Sequence, residues 1–228
     1  LSAEELAVLT RTGGALRDRL DAVAGTDAIL AIDPAVVAAI RVLGTTAPAS
    51  ALTWLDDLLA LPNSRFALQF GDAGVAAQVG AGGLLEVATL TPYLSPSGFA
   101  DAGASGASPD PTATPGATDG APTLPTIAQL TDIGAGAGTI YWPAPGTAGA
   151  SLVTALADDA TSGAGAVTLV DSTAVTTASA PAWAVAAGAP VLVYDAGASA
   201  ALRDAAAASD AVTRGAALAS ASAYAAIA

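Results

Sequence analysis

The sequence predicts an α/β fold in which mostly parallel strands alternate with helices. Three observations support this prediction. Short apolar runs alternate with segments of helical periodicity, several of the runs end in aspartate, and nearly every run is apolar on both faces. Strands that are apolar on both faces are typical of a parallel sheet covered by helices on both sides. Such a sheet is either open or closed as an incomplete β/α barrel.

The first elements follow from capping residues. Ser2 and Glu5 have the spacing of a reciprocal helix-capping pair, and leucines then recur at helical spacing. Gly13 and Gly14 either divide two short helices or kink one. The run DAILAID is a predicted strand that ends at Asp33, and Pro34 begins the helix that follows it.

The same pattern continues along the chain. ALTWLDDLLAL is a predicted amphipathic helix, RFALQFGD a strand that ends at Asp72, and AGVAAQVGAGG a short helix. A helix is expected near Thr126 to Ile133. After it we expect the strand TIYWPA, the helix SLVTALADDA, the strands AVTLVDS and PVLVYDA, and a long alanine-rich helical tail.

One segment interrupts this order. Residues at about 95–123 are rich in proline, glycine, serine and alanine and contain almost no large apolar side chain. Such a segment buries too little surface to offset the entropy of ordering it, so a flexible loop is predicted there. The chain of 228 residues is otherwise predicted to be a single α/β domain, 1–228.

Composition excludes several classes of function. Hydrophobic residues form 53% of the chain but aromatic residues only 4%, and the net charge is −13. This charge disfavours nucleic acid and anionic lipid as partners. The longest apolar stretches are interrupted by proline and aspartate, so no membrane insertion is expected within this segment. A signal peptide or an anchor outside the segment remains open.

Missing residue types exclude further chemistry. The chain has no histidine, cysteine or lysine. Catalytic triads, cysteine nucleophiles and a Walker-type phosphate loop are therefore excluded, and neither a cofactor nor a metal site is expected. The glycine-rich run at 134–139 precedes a predicted strand, whereas a dinucleotide-binding loop follows one.

A resemblance gives the chain a biological setting. The run GGALRDRLDAVAGTDAILAIDPAVV resembles the glycine-glycine, leucine-rich, aspartate-proline signature of an uncharacterised family of cell-envelope proteins from high-GC Gram-positive bacteria. RFALQFGDAGVAAQVGAGG, TIYWPAPG and GAPVLVYDAGASAAL follow in the order expected for that family. The resemblance implies a gene near the lipid II flippase, a secretion signal, a membrane anchor and a barrel similar to those of glycoside hydrolases and polysaccharide deacetylases. It implies no established activity.

The candidate site residues lie where the predicted strands end. Carboxyl ends of parallel strands meet at one edge of a sheet, so chemistry is expected there. Two of the aspartates could act as the paired carboxylates of a glycosidase, or each could simply cap the helix that follows it. The deacetylase mechanism is excluded because its metal ligands include histidine. The candidates are Asp33, Asp72, Asp171 and Asp195 for catalysis and Gln69, Trp142 and Tyr194 for ligand binding.

Three functions are compatible with these residues. The favoured one is a non-catalytic, extracytoplasmic cell-envelope domain that serves as a binding or scaffolding module linked to cell-wall synthesis, with cell-wall glycan or envelope proteins as partners. The alternatives are a glycoside hydrolase-like enzyme and a carbohydrate-binding module. Trp54, Trp142 and Trp183 could contribute to a sugar-stacking platform, although Trp54 lies on an amphipathic helix and is more consistent with the core.

Overall fold

The structure is a computed structural model that describes residues 1–95, 97–99, 124–136, 138–159, 165–176 and 181–227. The loop predicted at about 95–123 lies largely outside these residues. Contacts divide the chain into two compact units, which we call unit 1 (1–72 and 86–137) and unit 2 (73–85 and 138–228). The prediction of a single domain stays a prediction.

Unit 1 contains five α-helices and a two-stranded parallel sheet within the described residues. Leu30 pairs with Arg65 and Ile32 with Ala67. The helices are α1 (Ala3–Thr10), α2 (Ala15–Val23), α3 (Pro34–Arg41), α4 (Ala49–Ala60) and, after α5 of unit 2, α6 (Ile127–Thr131), together with 3₁₀ turns; the strands are β1 (Leu30–Ile32) and β2 (Arg65–Ala67).

Local sequence explains the helix boundaries in unit 1. The Ser2 and Glu5 side chains form the predicted capping box at the start of α1. Gly13 has a left-handed φ of 72°, and a Cβ at Gly14 would lie 2.4 Å from the Val8 carbonyl oxygen, so the glycine pair separates α1 from α2. The core behind β1 is formed by α1, α3 and α4 and includes Leu6, Ile40 and Trp54.

Unit 2 is built on a four-stranded mixed sheet with the strand order β3-β4-β6-β5. The first three strands are parallel, and β5 is antiparallel to β6. The elements are α5 (Val75–Gly80), β3 (Ile140–Tyr141), α7 (Ala150–Ala157), β4 (Val167–Asp171), β5 (Trp183–Ala186), β6 (Ala189–Tyr194), α8 (Ala196–Ala207) and α9 (Ala211–Ile227).

One face of the unit 2 sheet carries a buried apolar cluster, whereas the central residues of the other face are partly exposed. Val153 of α7 forms a cluster with Val170 of β4 and with Val191 and Ala189 of β6. Strand residues alternate between faces, so Leu169, Leu192 and Tyr194 lie on the opposite face. None of these three belongs to a buried cluster of the described residues.

Helices α8 and α9 pack closely against each other. A Cβ built on Gly197 in α8 would lie 2.6 Å from the Tyr224 ring of α9, a distance that real Cβ atoms do not adopt. Ala201, Ala205 and Ala221 are buried in the same helix pair. Small side chains therefore set the distance between the two helices.

The structure confirms the α/β class with largely parallel strands but corrects several details. Neither sheet closes into a barrel over the described residues, so the predicted barrel is not confirmed. The strand predicted to end at Asp72 stops at Ala67, because Gly71 (φ 70°) and Asp72 (φ 52°) are left-handed within a 3₁₀ turn. Strand β5 was not predicted. Among the described residues, no helix combines the length and the apolar character required to cross a membrane.

Candidate functional site

Asp33 ends β1 and caps α3, as one of the two interpretations predicts. Its Oδ1 accepts the Ala35 N–H at 2.8 Å, and Pro34 occupies the first helical turn. The same Oδ1 also accepts the Gly71 N–H at 2.9 Å. Asp33 therefore links the start of α3 to the turn that follows β2.

Asp72 is exposed and lies near Asp33 in one groove of unit 1. This groove, which we call the β1 groove, has a volume of about 440 Å³. Its walls come from α2, β1 and α4 and are largely apolar. The charged side chains that line it are Arg19, Asp33 and Asp72. Unit 1 thus brings two of the candidate aspartates to one surface at the carboxyl end of β1.

Asp171 ends β4 in unit 2 and is 2% exposed. Its Oδ2 accepts the Gly146 N–H at 2.8 Å, and its Oδ1 accepts the Thr173 N–H at 3.2 Å together with the Thr173 hydroxyl. Burial acts to raise the pKa of this carboxyl, but the hydrogen bonds from Thr173 and Gly146 outweigh burial and leave the pKa below its ordinary value. Asp171 is a buried carboxylate with both oxygens engaged.

Asp195 follows β6 and caps α8. One of its oxygens accepts the Ala198 N–H at 2.5 Å. The first N–H of α8, that of Ala196, is bound by the Ser172 hydroxyl at 3.1 Å. The loops that follow β3, β4 and β6 are therefore joined by two hydrogen bonds, in which Asp171 accepts from Gly146 and Ser172 accepts from Ala196. Asp195 itself serves as a helix cap.

The aromatic candidates also lie at this edge. The Trp142 and Tyr194 rings meet edge to face, with centroids 6.1 Å apart. Tyr194 pairs with Asp171 in the register of β4 and β6. The contact between the Trp142 and Tyr194 rings therefore lies beside the carboxyl end of β4. Trp142 remains 43% exposed.

Trp183 lies on the same face of the sheet as Tyr194. Trp183 pairs with Leu192, and residues two apart on a strand share a face, so Trp183, Leu192 and Tyr194 lie on one side of the sheet. Trp183 is 58% exposed and Val185 on the same strand is 70% exposed. Trp54, in contrast, is buried in unit 1 and donates its indole N–H to the Leu16 carbonyl at 2.9 Å, which confirms its place in the core.

One residue of the β1 groove was missed from the sequence. Gln69 follows β2 and is not among the residues that line the groove, so its role in ligand binding stays a prediction. Arg19 does line it and was not predicted. A signal was present, because Arg19 lies three residues after Leu16 and next to Leu20, at the border of the apolar face of α2.

The described residues contain no group of three or more histidine, cysteine, aspartate or glutamate side chains that could hold a metal ion. Comparisons with protein-family models, with curated proteins and with solved structures find no match to this chain.

Proposed function

We propose that this chain is a non-catalytic, extracytoplasmic module of the cell envelope, linked to cell-wall synthesis, that binds its ligand on an aromatic face of unit 2. We define this aromatic face by Trp142, Trp183, Val185, Leu192 and Tyr194. The observation that carries the proposal is the exposure of Trp142 and Trp183 beside aspartates that are committed to backbone N–H groups.

The commitment of the aspartates supports a structural role for them. Both carboxylate oxygens of Asp171 accept hydrogen bonds from the fold, and the side chain is buried. Asp195 caps α8. Asp171 cannot carry a proton without weakening a hydrogen bond that holds the loops, and Asp195 is a helix cap, so the edge of this sheet supports binding better than catalysis.

The aromatic face suits an uncharged stretch of cell-wall glycan. Sugar rings present C–H groups on their faces and hydroxyl groups at their edges, and the exposed rings of Trp142 and Trp183 offer an apolar surface that borders water. A chain with a net charge of −13 disfavours a polyanion. A neutral N-acetylhexosamine chain is therefore the proposed ligand, and an envelope protein is the alternative.

The test is a titration of the full chain with N-acetylglucosamine oligomers, followed by calorimetry, with mass spectrometry of the oligomer afterwards. We expect saturable binding without cleavage. Trp183→Ala should weaken binding by about fivefold, the equivalent of about 1 kcal/mol for one aromatic contact. Leu202→Ala is the matched control, because Leu202 is 52% exposed on α8 and lies outside the aromatic face.

Two results would contradict the proposal. Absence of binding at millimolar oligomer would refute a glycan ligand and leave a protein partner to be sought at the same face. Release of shorter oligomers would refute the non-catalytic assignment.

The hydrolase alternative retains one specific observation, the presence of Asp33 and Asp72 in the β1 groove. Glycosidases place their two carboxyl groups roughly 5 to 10 Å apart. General acids of such enzymes lie in apolar surroundings, whereas Asp72 is exposed. If the oligomer is cleaved, Asp33→Asn and Asp72→Asn should each abolish cleavage while the protein stays folded.

A further inference from the structure

The β1 groove combines apolar walls with three charged side chains, of which only Asp33 makes a hydrogen bond among the described residues, through Oδ1. Leu20, Val36 and Leu68 contribute to its walls. In the part of the chain that the structure describes, Arg19, Asp72 and the Oδ2 atom of Asp33 have no hydrogen-bond or ion-pair partner. These groups are therefore available to a ligand.

Three other arginines of unit 1 are engaged by the fold. Arg17 pairs with Asp21 and Asp57. Arg41 donates to carbonyl groups at the end of α6, and Arg65 donates to carbonyl groups at the end of α4. Arg19 at the groove is exposed and makes no such contact among the described residues.

We propose that the β1 groove binds a small apolar ligand that carries one protonated amino group. The two carboxylates and one guanidinium that line the groove give it a local charge of 1 − 2 = −1, which favours a single cation. Arg19 disfavours a second cationic group on the ligand. This site is additional to the function proposed above and does not depend on it.

Size and position support the same ligand. A volume of about 440 Å³ lies within the range of roughly 300 to 1,000 Å³ that small-molecule sites have. The hydrocarbon part of the ligand would contact the apolar walls, and the ammonium group would donate to Asp72 and to Oδ2 of Asp33. The groove also borders the carboxyl end of β1, where ligands of parallel sheets bind.

The experiment compares two probes on the full chain by NMR titration. L-leucinamide carries an ammonium group, and N-acetyl-L-leucinamide has the same side chain but no charge. We expect L-leucinamide to bind and to shift resonances of residues that line the groove, such as Ile32 and Val36. The acetylated probe should bind at least about fivefold more weakly, since a partly exposed charge pair supplies up to about that factor.

A variant pair localises the effect. Asp72→Asn should weaken the binding of L-leucinamide about fivefold and leave the acetylated probe unchanged. Asparagine tolerates the left-handed φ of 52° at this position as aspartate does, so the fold is expected to be retained, which the melting temperature checks. Asp56→Asn is the matched control, because Asp56 is an exposed aspartate of unit 1 that does not line the groove.

The results of these titrations decide for or against the proposed ligand. Equal affinity for the two probes, or absence of L-leucinamide binding, overturns the proposal. An equal loss in Asp72→Asn and Asp56→Asn also overturns it, because the effect would then come from net charge and not from the groove.

Discussion

Among the described residues, each unit buries one charged side chain, and the two charges have opposite sign. Arg65 in unit 1 is 3% exposed, and Asp171 in unit 2 is 2% exposed. Over the residues that the structure describes, neither has an oppositely charged side chain as a partner. Arg65 donates to the carbonyl groups of Leu58, Leu61, Asn63 and Ile133, whereas Asp171 accepts from N–H groups of Gly146 and Thr173.

This comparison shows that backbone C=O and N–H groups can stabilise a buried charge of either sign in place of an oppositely charged side chain. The carbonyl groups of Leu58 and Leu61 lie at the carboxyl end of α4, where the helix dipole is negative and attracts a cation. The N–H group of Thr173 begins a 3₁₀ turn, where the free donors favour an anion. Burial of a charge costs free energy unless the charge is hydrogen-bonded, and both units meet that condition.

The largest expected effect is that of Arg65→Met, which tests the unit 1 half of this comparison. Removal of the guanidinium leaves four carbonyl groups without this donor, and we expect the free energy of unfolding to fall by about 3 kcal/mol. Urea unfolding measures this change. Arg11→Met is the control, since Arg11 is exposed in the same unit. Equal losses in the two variants would show that Arg65 does not hold the end of α4.

The next effect is that of Asp171→Asn in unit 2. The amide retains one acceptor but turns an NH₂ group toward backbone donors, so we expect a loss of about 2 kcal/mol in urea unfolding. Asp158→Asn, at an exposed aspartate of unit 2, makes the same change in net charge and should be nearly neutral. A neutral Asp171→Asn would contradict the assignment of Asp171 as an ionised structural anchor.

The pH dependence of unfolding should differ between the variants of the two buried charges. The pKa of Asp171 is lower in the folded chain than its ordinary value of about 4, so this carboxylate stabilises the fold above that pH. That stabilisation is lost as the pH falls through the folded pKa. Asp171→Asn should therefore flatten the pH dependence of unfolding below about pH 4, and Arg65→Met should not, because that substitution removes no carboxyl group. Identical pH profiles for wild type and Asp171→Asn would refute this.

The smallest effect is that of Asp33, which resembles Asp171 in part. Both accept an N–H from a glycine with positive φ in a neighbouring loop, Gly71 (φ 70°) for Asp33 and Gly146 (φ 77°) for Asp171. Asp33 is only half-buried and uses Oδ1 alone for these contacts. Asp33→Ala should cost about 1 kcal/mol, and Asp33→Asn should be nearly harmless because the amide oxygen can keep both bonds. Equal losses of unfolding free energy in Asp33→Asn and Asp171→Asn would contradict this difference between the two aspartates.

Local signals predicted the parts of the fold that depend on neighbours in sequence. The capping box at Ser2 and the cap at Asp33 are both present where the sequence placed them. A helix near Thr126 was expected, and α6 runs from Ile127 to Thr131 with its own capping box. Side-chain oxygens that bind N–H groups two or three residues away act within one turn, so the sequence carries their signal directly.

Features that depend on distant partners could not be predicted in the same way. The choice of strands that pair, and therefore the two small sheets instead of a barrel, depends on contacts across loops that periodicity does not encode. Strand β5 was missed because its hairpin turns at Ala187 and Gly188, both with positive φ, and alanine is not a residue that signals such a turn. The burial of Arg65 depends partly on the carbonyl group of Ile133, far along the chain.

The close contact between Gly197 and Tyr224 has a spectroscopic consequence. The Gly197 hydrogen that occupies the Cβ direction points at the tyrosine ring, within the range of its ring current. Its proton chemical shift should therefore depart from that of an ordinary helical glycine as long as α8 and α9 remain paired, and should return to it when they separate. A single resonance can thus report the opening of this helix pair independently of any change elsewhere in the chain.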